Sequence, residues 1–204
     1  MGKGAVEPTG CKMKQKKTDN HDPAAKLALR MHFLRKYHSD GGARVLDCCA
    51  GSGLLWGEIR QSIKLVSYLG LDVKKKKGRL GIDSSRYLAA GCNAFDVIDV
   101  DTYGAPWKHW FEILKHMEQP TTVFLTVGMI KIGGGGALQN EEKEALGITG
   151  LHVPMGICGR LHELSVKCCL SACYRYDIMI VDAVEAASTG NARYIGVRLE
   201  RQKK

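Results

Sequence analysis

The fold is decided by nine residues, Val45–Gly53, whose sequence is VLDCCAGSG. An apolar run that ends in Asp47 leads directly into a glycine-rich turn, and a stretch with helical spacing begins at Leu54. Glycines at the carboxyl end of a strand allow the backbone to pass close to a ligand, and they allow the next helix to point its N-terminus at that ligand. The stretch therefore predicts a strand, a ligand-binding turn and a helix.

The next apolar run ends in Asp72, nineteen residues after Gly53. An acid at that place can accept hydrogen bonds from both hydroxyls of a ribose. A pyrophosphate-binding fingerprint would need a third glycine three positions after Gly53, where this chain has Trp56. The phosphate-loop pattern G-x-x-x-x-G-K-[ST] is also absent from the sequence. These residues favour a cofactor with ribose and adenine but no phosphate, which is S-adenosylmethionine.

The glycine turn resembles the first motif of the class I S-adenosylmethionine-dependent methyltransferases. That motif is an acid, three residues and then Gly-x-Gly, matched here by Asp47, Gly51 and Gly53. The resemblance implies that Asp47 lies near the methionine amino group of the cofactor, that Asp72 holds its ribose, and that Asp83 faces its adenine amino group. A glycine turn in another kind of α/β protein remains the alternative.

Short apolar runs and helical stretches alternate along the rest of the chain. Repeated strand–helix units predict an α/β fold with a single doubly wound, mostly parallel sheet, in which the last two strands can pair antiparallel. Together with the resemblance, which covers roughly residues 44–127, this implies a seven-stranded, Rossmann-like methyltransferase domain at residues 22–204. The predicted strands are 44–49, 65–72, 80–83, 95–101, 121–127, 178–184 and 194–199. The first predicted helix starts at 22–23, and the other predicted helices span 54–63, 84–90, 107–117 and roughly 161–174.

Two segments interrupt this pattern. Residues 1–21 are polar and rich in lysine, and we expect them to form a basic flexible arm. Residues 130–160 contain four consecutive glycines at 133–136 and an acidic patch, which is typical of an inserted loop or lid.

The charge is unevenly distributed. The net charge of +9 arises from 30 Lys and Arg against 21 Asp and Glu, and residues 1–17 and 191–204 each carry +4. A further basic run occupies Lys74–Arg79. This pattern favours a polyanionic partner such as nucleic acid, although solubilising tails would look the same. No stretch approaches the ~20 apolar residues that cross a bilayer, so we expect no membrane partner.

The eight cysteines do not form a disulfide-like pattern. They include adjacent pairs inside apolar segments, and the sequence contains no C-x-x-C, so we expect a reducing compartment and a cytoplasmic protein. The histidines and cysteines between residues 152 and 173 match no known zinc-ligand spacing, and no metal is expected.

A second motif, FDVIDVDTYGAP, covers Phe95–Pro106 and places Asp101 and Tyr103 just beyond the fourth strand. It resembles the Asp-Pro-Phe-Gly box of the tRNA (guanine-N2) dimethyltransferases, with Thr102 where that family has Pro. An exocyclic amine on a base is a poor nucleophile, and an acceptor for its N–H bonds moves electron density onto the nitrogen. An aromatic side chain gives the base a surface for stacking. The alternative is an ordinary strand-ending turn in which Tyr103 covers the sheet edge.

These observations lead to one functional expectation and two alternatives. The expected activity is N-methylation of an exocyclic amine on a nucleic-acid base, with RNA favoured over DNA, Asp101 as acceptor and Tyr103 as stacking platform. The alternatives are a methyltransferase for a small molecule or a protein side chain, and a non-catalytic S-adenosylmethionine-binding module.

Overall fold

The structure is a computed structural model that describes residues 22–74, 78–128, 138–148, 158–187 and 192–202, without the side chains of residues 158–161. The helices are α1 (Pro23–Tyr37), α2 (Leu54–Ser62), α3 (Ser84–Ala89), α4 (Trp107–His116), α5 (Asn140–Leu146) and α6 (Cys158–Ser171), and a 3-10 helix (Ala172–Tyr176) follows α6. The strands are β1 (Ala43–Asp47), β2 (Leu65–Asp72), β3 (Leu80–Gly81), β4 (Val97–Val100), β5 (Thr121–Val127), β6 (Ile178–Ala186) and β7 (Arg193–Arg201).

The strands form one seven-stranded sheet in the order β3-β2-β1-β4-β5-β7-β6. The first five strands in this order are parallel, whereas β7 is antiparallel to both β5 and β6. The predicted doubly wound, mostly parallel sheet with a terminal antiparallel pair is confirmed. Parallel strands end at the same edge, which we call the carboxyl edge, and the opposite edge is the amino edge.

Each face of the sheet is covered by helices over its own apolar core. Helices α1 and α2 cover one face, where Phe33, Trp56 and Phe124 are buried together. Helices α3, α4 and α6 cover the other face, where Trp107 and Trp110 are buried. Coverage of both faces explains why every residue of β4 and β5 is buried, including Asp99 in β4 and the three threonines of β5.

The segment between β5 and α6 contains a helix that the sequence analysis did not predict. Helix α5 is preceded by a capping box in which Gln139 and Glu142 bond each other's backbone N–H groups. The side chain of Glu142 is buried and accepts a 3.0 Å hydrogen bond from the indole of Trp107, so this part of the segment packs against α4. The predicted arm at 1–21, and the four-glycine run at 133–136, lie outside the described residues.

Among the described helices, none has the length and apolar content that a membrane span requires.

Candidate active site at the carboxyl edge

The residues predicted to bind the cofactor and the substrate come together at the carboxyl edge. Asp47 ends β1, Asp72 ends β2, and Asp101 directly follows β4. Because β1 lies between β2 and β4, the glycine turn is flanked by the other two strand ends. Crevices of this kind, outside the carboxyl ends of parallel strands, are where ligands bind in open α/β sheets.

The glycine turn has a conformation that only glycine adopts without strain at two positions. Gly51 has φ of 49° and Gly53 has φ of 71°, both in the left-handed region. Gly53 is the residue immediately before α2, and its N–H donates to the carbonyl of Ala50 at 2.6 Å. The N–H of Ala50 donates to Leu71 at 2.9 Å, which attaches the turn to the end of β2.

The guanidinium of Arg79 lies directly over this turn. A Cβ added at Gly53 would overlap a terminal nitrogen of Arg79 and would lie 2.9 Å from its Cζ. The backbone next to α2 is thus approached closely by a side chain from the loop before β3. A ligand that lay across Gly53 would need to displace Arg79 or to contact its guanidinium.

Asp72 is the last residue of β2 and Asp83 lies two residues after β3, and the two carboxylates differ in their local bonds. Asp72 is half-buried, and its Oδ1 accepts a 2.8 Å bond from the backbone N–H of Lys74. Asp83 is exposed and is the N-cap of α3, because its Oδ1 accepts bonds from the N–H and the hydroxyl of Ser85 at 2.8 and 2.7 Å. These bonds from Ser85 lower the pKa of Asp83.

Asp47 is buried and has no cationic partner of its own among the bonds described. Its Oδ2 accepts a 2.8 Å bond from the phenol of Tyr68, and its Oδ1 a 3.3 Å bond from the N–H of Cys49. Burial, together with the carboxylate of Asp99 in register on β4, raises the pKa of Asp47 to about 7. The carboxyl group of Asp47 is therefore protonated more easily than that of an exposed aspartate.

Asp99 was not singled out by the sequence, yet it is the centre of a buried network. The guanidinium of Arg30 on α1 binds both carboxylate oxygens of Asp99, at 2.7 and 2.6 Å, and both side chains are 2% exposed. The indole N–H of Trp56 donates to the same carboxylate at 2.7 Å. A bidentate pair of this kind is among the stronger hydrogen-bonded contacts in proteins, and breaking it would strand a buried charge.

Asp101 is held by a lysine that the sequence analysis also missed. The ammonium of Lys26, which is 4% exposed, donates to both oxygens of Asp101 at 2.8 and 2.7 Å. Burial alone would raise the pKa of Asp101, but the cations Arg30 and Lys26 and a bond from the hydroxyl of Thr126 outweigh it and lower the pKa. Asp101 is therefore an ionised carboxylate that is 26% exposed at the carboxyl edge.

Tyr103 is the most exposed large apolar side chain of the described residues, at 82%. It does not cover the sheet edge, which was the alternative considered from the sequence. The loop that carries it is fixed behind it, because the N–H of Gly128 donates to the carbonyl of Gly104 at 2.9 Å and the two glycines are in close contact. Thr102 stands where the Asp-Pro-Phe-Gly box has Pro. Its hydroxyl is buried and has no hydrogen-bond partner within the described part of the chain.

Two further apolar side chains are exposed beside the predicted cofactor residues. Leu54, directly after Gly53, is 72% exposed, and Val73, directly after Asp72, is 75% exposed. Exposed apolar side chains next to a glycine turn and an acid are suited to contact with a planar ligand.

No pattern in the sequence indicates where His109 lies in the fold. It lies on α4 with its Nε2 2.8 Å from the hydroxyl of Ser84, the first residue of α3. Burial lowers the pKa of His109, so its ring is neutral near pH 7. Among the described residues, no group of three or more His, Cys, Asp or Glu side chains could hold a metal ion.

The strand order, the glycine turn after β1 and the acid after β2 define the fold of the class I S-adenosylmethionine-dependent methyltransferases. Solved structures with this fold resemble the chain, although no protein-family model matches it and no curated protein is significantly similar to it in sequence. One of them is Trm1 from Pyrococcus horikoshii in complex with S-adenosyl-L-methionine, with a TM-score of 0.59 and 15% identity over 88% of this chain. This chain spans 54% of the length of that structure.

Other similar structures carry different assignments. The plantazolicin methyltransferase BpumL in complex with SAH has a TM-score of 0.54 and 11% identity, over 88% of this chain and 84% of that one. A protein from Lactococcus lactis that is assigned as a hemolysin has a TM-score of 0.57 and 11% identity, over 90% of both chains. At such low identity the likeness establishes the fold, and the activity must be argued from the site.

Proposed function

We propose that this protein is a methyltransferase that uses S-adenosylmethionine to methylate an exocyclic amine on a nucleic-acid base, with RNA favoured over DNA. The observation that carries the proposal is the arrangement of Asp101 and Tyr103. An ionised carboxylate and an almost fully exposed aromatic ring stand two residues apart, at the edge where the predicted cofactor turn also lies. The similarity to Trm1, solved with the same cofactor, supports the choice of cofactor.

The cofactor site in this proposal consists of the residues around the glycine turn. Gly51 and Gly53 give room for the ligand, Asp72 holds the ribose hydroxyls, and Asp83 faces the adenine amino group with the carboxylate oxygen that does not cap α3. Asp47 lies near the methionine ammonium, and a positive charge there would favour its ionised form. When bound, S-adenosylmethionine would supply an electrophilic methyl group on a sulfonium, whose sulfur would leave as a neutral thioether.

Asp101 acts as hydrogen-bond acceptor for the amine in this mechanism. A carboxylate has about four lone-pair directions, of which Lys26 and Thr126 occupy three, so one remains for an N–H of the substrate. Because its pKa is lowered, Asp101 polarises the N–H bond but does not keep the proton, which leaves to water at the open edge. The protein's contribution is mainly orientation and electrostatic alignment.

A methyltransferase for a peptide or small molecule is the second candidate, and the similarity to the plantazolicin methyltransferase favours it. It would use the same cofactor turn but would not need a stacking surface. We place either activity in the cytoplasm, because the six cysteines whose side chains the structure describes are free thiols, as expected in a reducing compartment.

Transfer of a tritiated methyl group from S-adenosylmethionine to bulk RNA and DNA tests the proposal, with mass spectrometry of the digested nucleosides to identify the modified base. Loss of stacking in Tyr103→Ala should lower kcat/KM for RNA about 5- to 150-fold, equivalent to ~1–3 kcal/mol, whereas Tyr103→Phe should keep most activity. Tyr174→Ala is the matched control, because Tyr174 is also exposed, at 57%, but lies before β6.

Three outcomes would contradict the proposal. Cofactor binding without transfer to either nucleic acid would favour the binding module. Transfer to a peptide or small molecule alone would favour the second candidate. Equal activity of wild type and Tyr103→Ala would show that no base stacks on this ring.

A further inference from the structure

Lys26 lies in the first turn of α1, before the part of the chain that resembles the methyltransferases. Its ammonium is buried and donates to both oxygens of Asp101, at 2.8 and 2.7 Å. The same ammonium lies 5.1 Å from the centre of the ring of Tyr194, which is buried on β7. Lysine is almost never fully buried unless it is paired, and the partner of this lysine is the carboxylate to which we assign the substrate amine.

The backbone that carries Lys26 is itself held by the other buried cation of α1. The Nη1 of Arg30 donates to the carbonyl of Lys26 at 3.0 Å, while its Nε and Nη2 bind the two oxygens of Asp99. Asp99 lies on β4 and Asp101 directly follows that strand, so two cations one helical turn apart bind two carboxylates at the same strand end. Helix α1 is therefore fixed against the strand that carries the candidate site.

The carboxylate of Asp101 has little freedom to rotate. Besides the two bonds from Lys26, it accepts a bond from the hydroxyl of Thr126 on β5. Thr126 is paired with Tyr194 across β5 and β7, so the contacts of the carboxylate and of its lysine come from three elements of the fold. Such fixation matters for catalysis, because a catalytic group has to be held within about 0.5 Å of its productive position.

We propose that Lys26 is a positioning residue for methyl transfer, because its two hydrogen bonds fix the direction in which Asp101 accepts an N–H of the substrate amine. The inference rests on the proposed function, in which Asp101 is that acceptor. In this role Lys26 acts through Asp101 and needs no contact with the substrate. A cation is better suited to the role than a neutral donor, because it also opposes the burial that would raise the pKa of Asp101.

The charge of Asp101 without Lys26 depends on the groups that remain around it. Arg30 still favours the ionised form, whereas burial, which is the largest influence on this carboxyl group, opposes it. Replacement of Lys26 by a neutral residue should therefore raise the pKa of Asp101 above that in the wild type. The other titratable side chains near the pair are Asp99 on β4, Cys49 after β1 and Tyr194 on β7.

Lys26→Met and Lys26→Arg test the inference, and Lys36→Met is the matched control. Lys36 lies in the last turn of the same helix, about 15 Å away because ten helical residues rise by about 1.5 Å each. It also binds one aspartate, since its ammonium donates to Asp182 at 2.9 Å. The three variants thus alter the same residue type on the same helix, at the site and far from it.

Methyl transfer to RNA is measured between about pH 6 and pH 9 to give kcat and KM for each variant. Lys26→Met should lower kcat at pH 7 about 100-fold, which is the cost of misplacing a reacting group by about 1 Å. The KM for RNA should change little, because the lost interaction matters only in the transition state. The loss should be smaller at pH 9 than at pH 6, since Asp101 regains its charge as the pH rises. Lys26→Arg should recover most of the activity, and Lys36→Met should stay within about threefold of the wild type.

Melting temperature and affinity for S-adenosylmethionine are measured first, to show that each variant is folded. If Lys26→Met does not fold, Lys26→Gln takes its place, because its amide fills the site without a charge. The inference is overturned if the neutral variant keeps the kcat and the pH profile of the wild type, if Lys26→Arg recovers nothing, or if Lys36→Met loses as much.

Failure of the proposed function looks different. A wild type that transfers methyl groups only to a peptide or small amine refutes the nucleic-acid assignment, and the same variants are then compared with that acceptor. Equal activity of wild type and Lys26→Met on it overturns the inference as well, and a pH-dependent loss that Lys26→Arg repairs supports it. A wild type that transfers no methyl group to any acceptor overturns both.

Discussion

Replacing Gly53 by Ala tests whether a cofactor lies across the glycine turn. Gly53 has φ of 71°, and a residue with a Cβ loses roughly 1–2 kcal/mol in the left-handed region. The added methyl would overlap the end of the Arg79 side chain, which is half-buried and would have to shift. We therefore expect the melting temperature to fall by no more than the backbone strain dictates, about 2–4 °C per kcal/mol for a chain of this size.

The matched control is Gly147→Ala, at the end of α5. Gly147 has φ of 67°, and a Cβ there would have nothing within 4 Å, so this variant carries the same backbone strain without any new contact. Both variants should lose similar stability. Only Gly53→Ala should lose cofactor affinity, because forcing a methyl group into a filled site costs about 1–3 kcal/mol, which raises the Kd roughly 5- to 150-fold.

Isothermal titration with S-adenosylmethionine and with S-adenosylhomocysteine measures the affinities, and thermal denaturation measures the stabilities. If Gly53→Ala binds both ligands as tightly as the wild type, no ligand lies over Gly53 and the proposed cofactor site is wrong. If Gly147→Ala loses as much affinity, the effect comes from destabilisation and the close-approach argument fails.

Two further predictions concern the buried charges. Arg30→Met should lower the free energy of unfolding by about 3–5 kcal/mol in urea, because it leaves Asp99 buried without its cation. Arg30→Met/Asp99→Asn should regain part of it, because the amide carries no charge and still accepts the indole N–H of Trp56. A single variant within about 1 kcal/mol of the wild type would contradict this. The pKa of Asp47 rises from 3.8 to about 7 on folding, so the folded protein binds this proton more tightly than the unfolded chain does. The resulting contribution to stability is present near pH 4 and is lost as the pH rises to 7. Between pH 5 and pH 7 the free energy of unfolding should therefore decline less in Asp47→Asn than in the wild type. His38, whose pKa is lowered to about 4, acts in the opposite direction, but equally in both proteins. An equal decline in the two proteins would show that Asp47 ionises normally.

Local sequence was sufficient to predict the glycine turn and the strands and helices around it. A turn that needs left-handed φ at Gly51 and Gly53 is visible as glycines after an apolar run, and Asp72 ends the next run in the same way. Both signals lie within a few residues of the structure that they specify. The fold was accordingly predictable in its element types, while several boundaries differ by one to three residues, as helix and strand ends commonly do.

The partners of the carboxylates could not be predicted, because they are distant in sequence. Lys26 and Asp101 are 75 residues apart, and Arg30 and Asp99 are 69 apart. In retrospect a signal exists: Lys26 and Arg30 are four residues apart on a helix, and Asp99 and Asp101 are two residues apart at the end of β4 and just beyond it, so each pair shares one face. Without the angle at which α1 crosses β4, that spacing does not say which acid meets which base. Helix α5 was missed for a similar reason, since its seven residues are stabilised by a buried contact between Glu142 and α4.

Trp56 connects the argument about the cofactor with the argument about the substrate. From the sequence it only argued against a dinucleotide, because it stands where a third glycine would be required. In the structure its indole donates to Asp99, so the helix after the glycine turn is bonded to the strand that carries Asp101. The carboxylates of Asp47, Asp99 and Asp101 at this edge share two buried cations from α1, Lys26 and Arg30, while burial and the neighbouring carboxylate of Asp99 raise the pKa of Asp47. A ligand ammonium next to Asp47 would favour the ionised form of that carboxyl group, whereas a phosphate there would add to the repulsion, so the electrostatics around Asp47 favour the same cofactor as the shape of the turn.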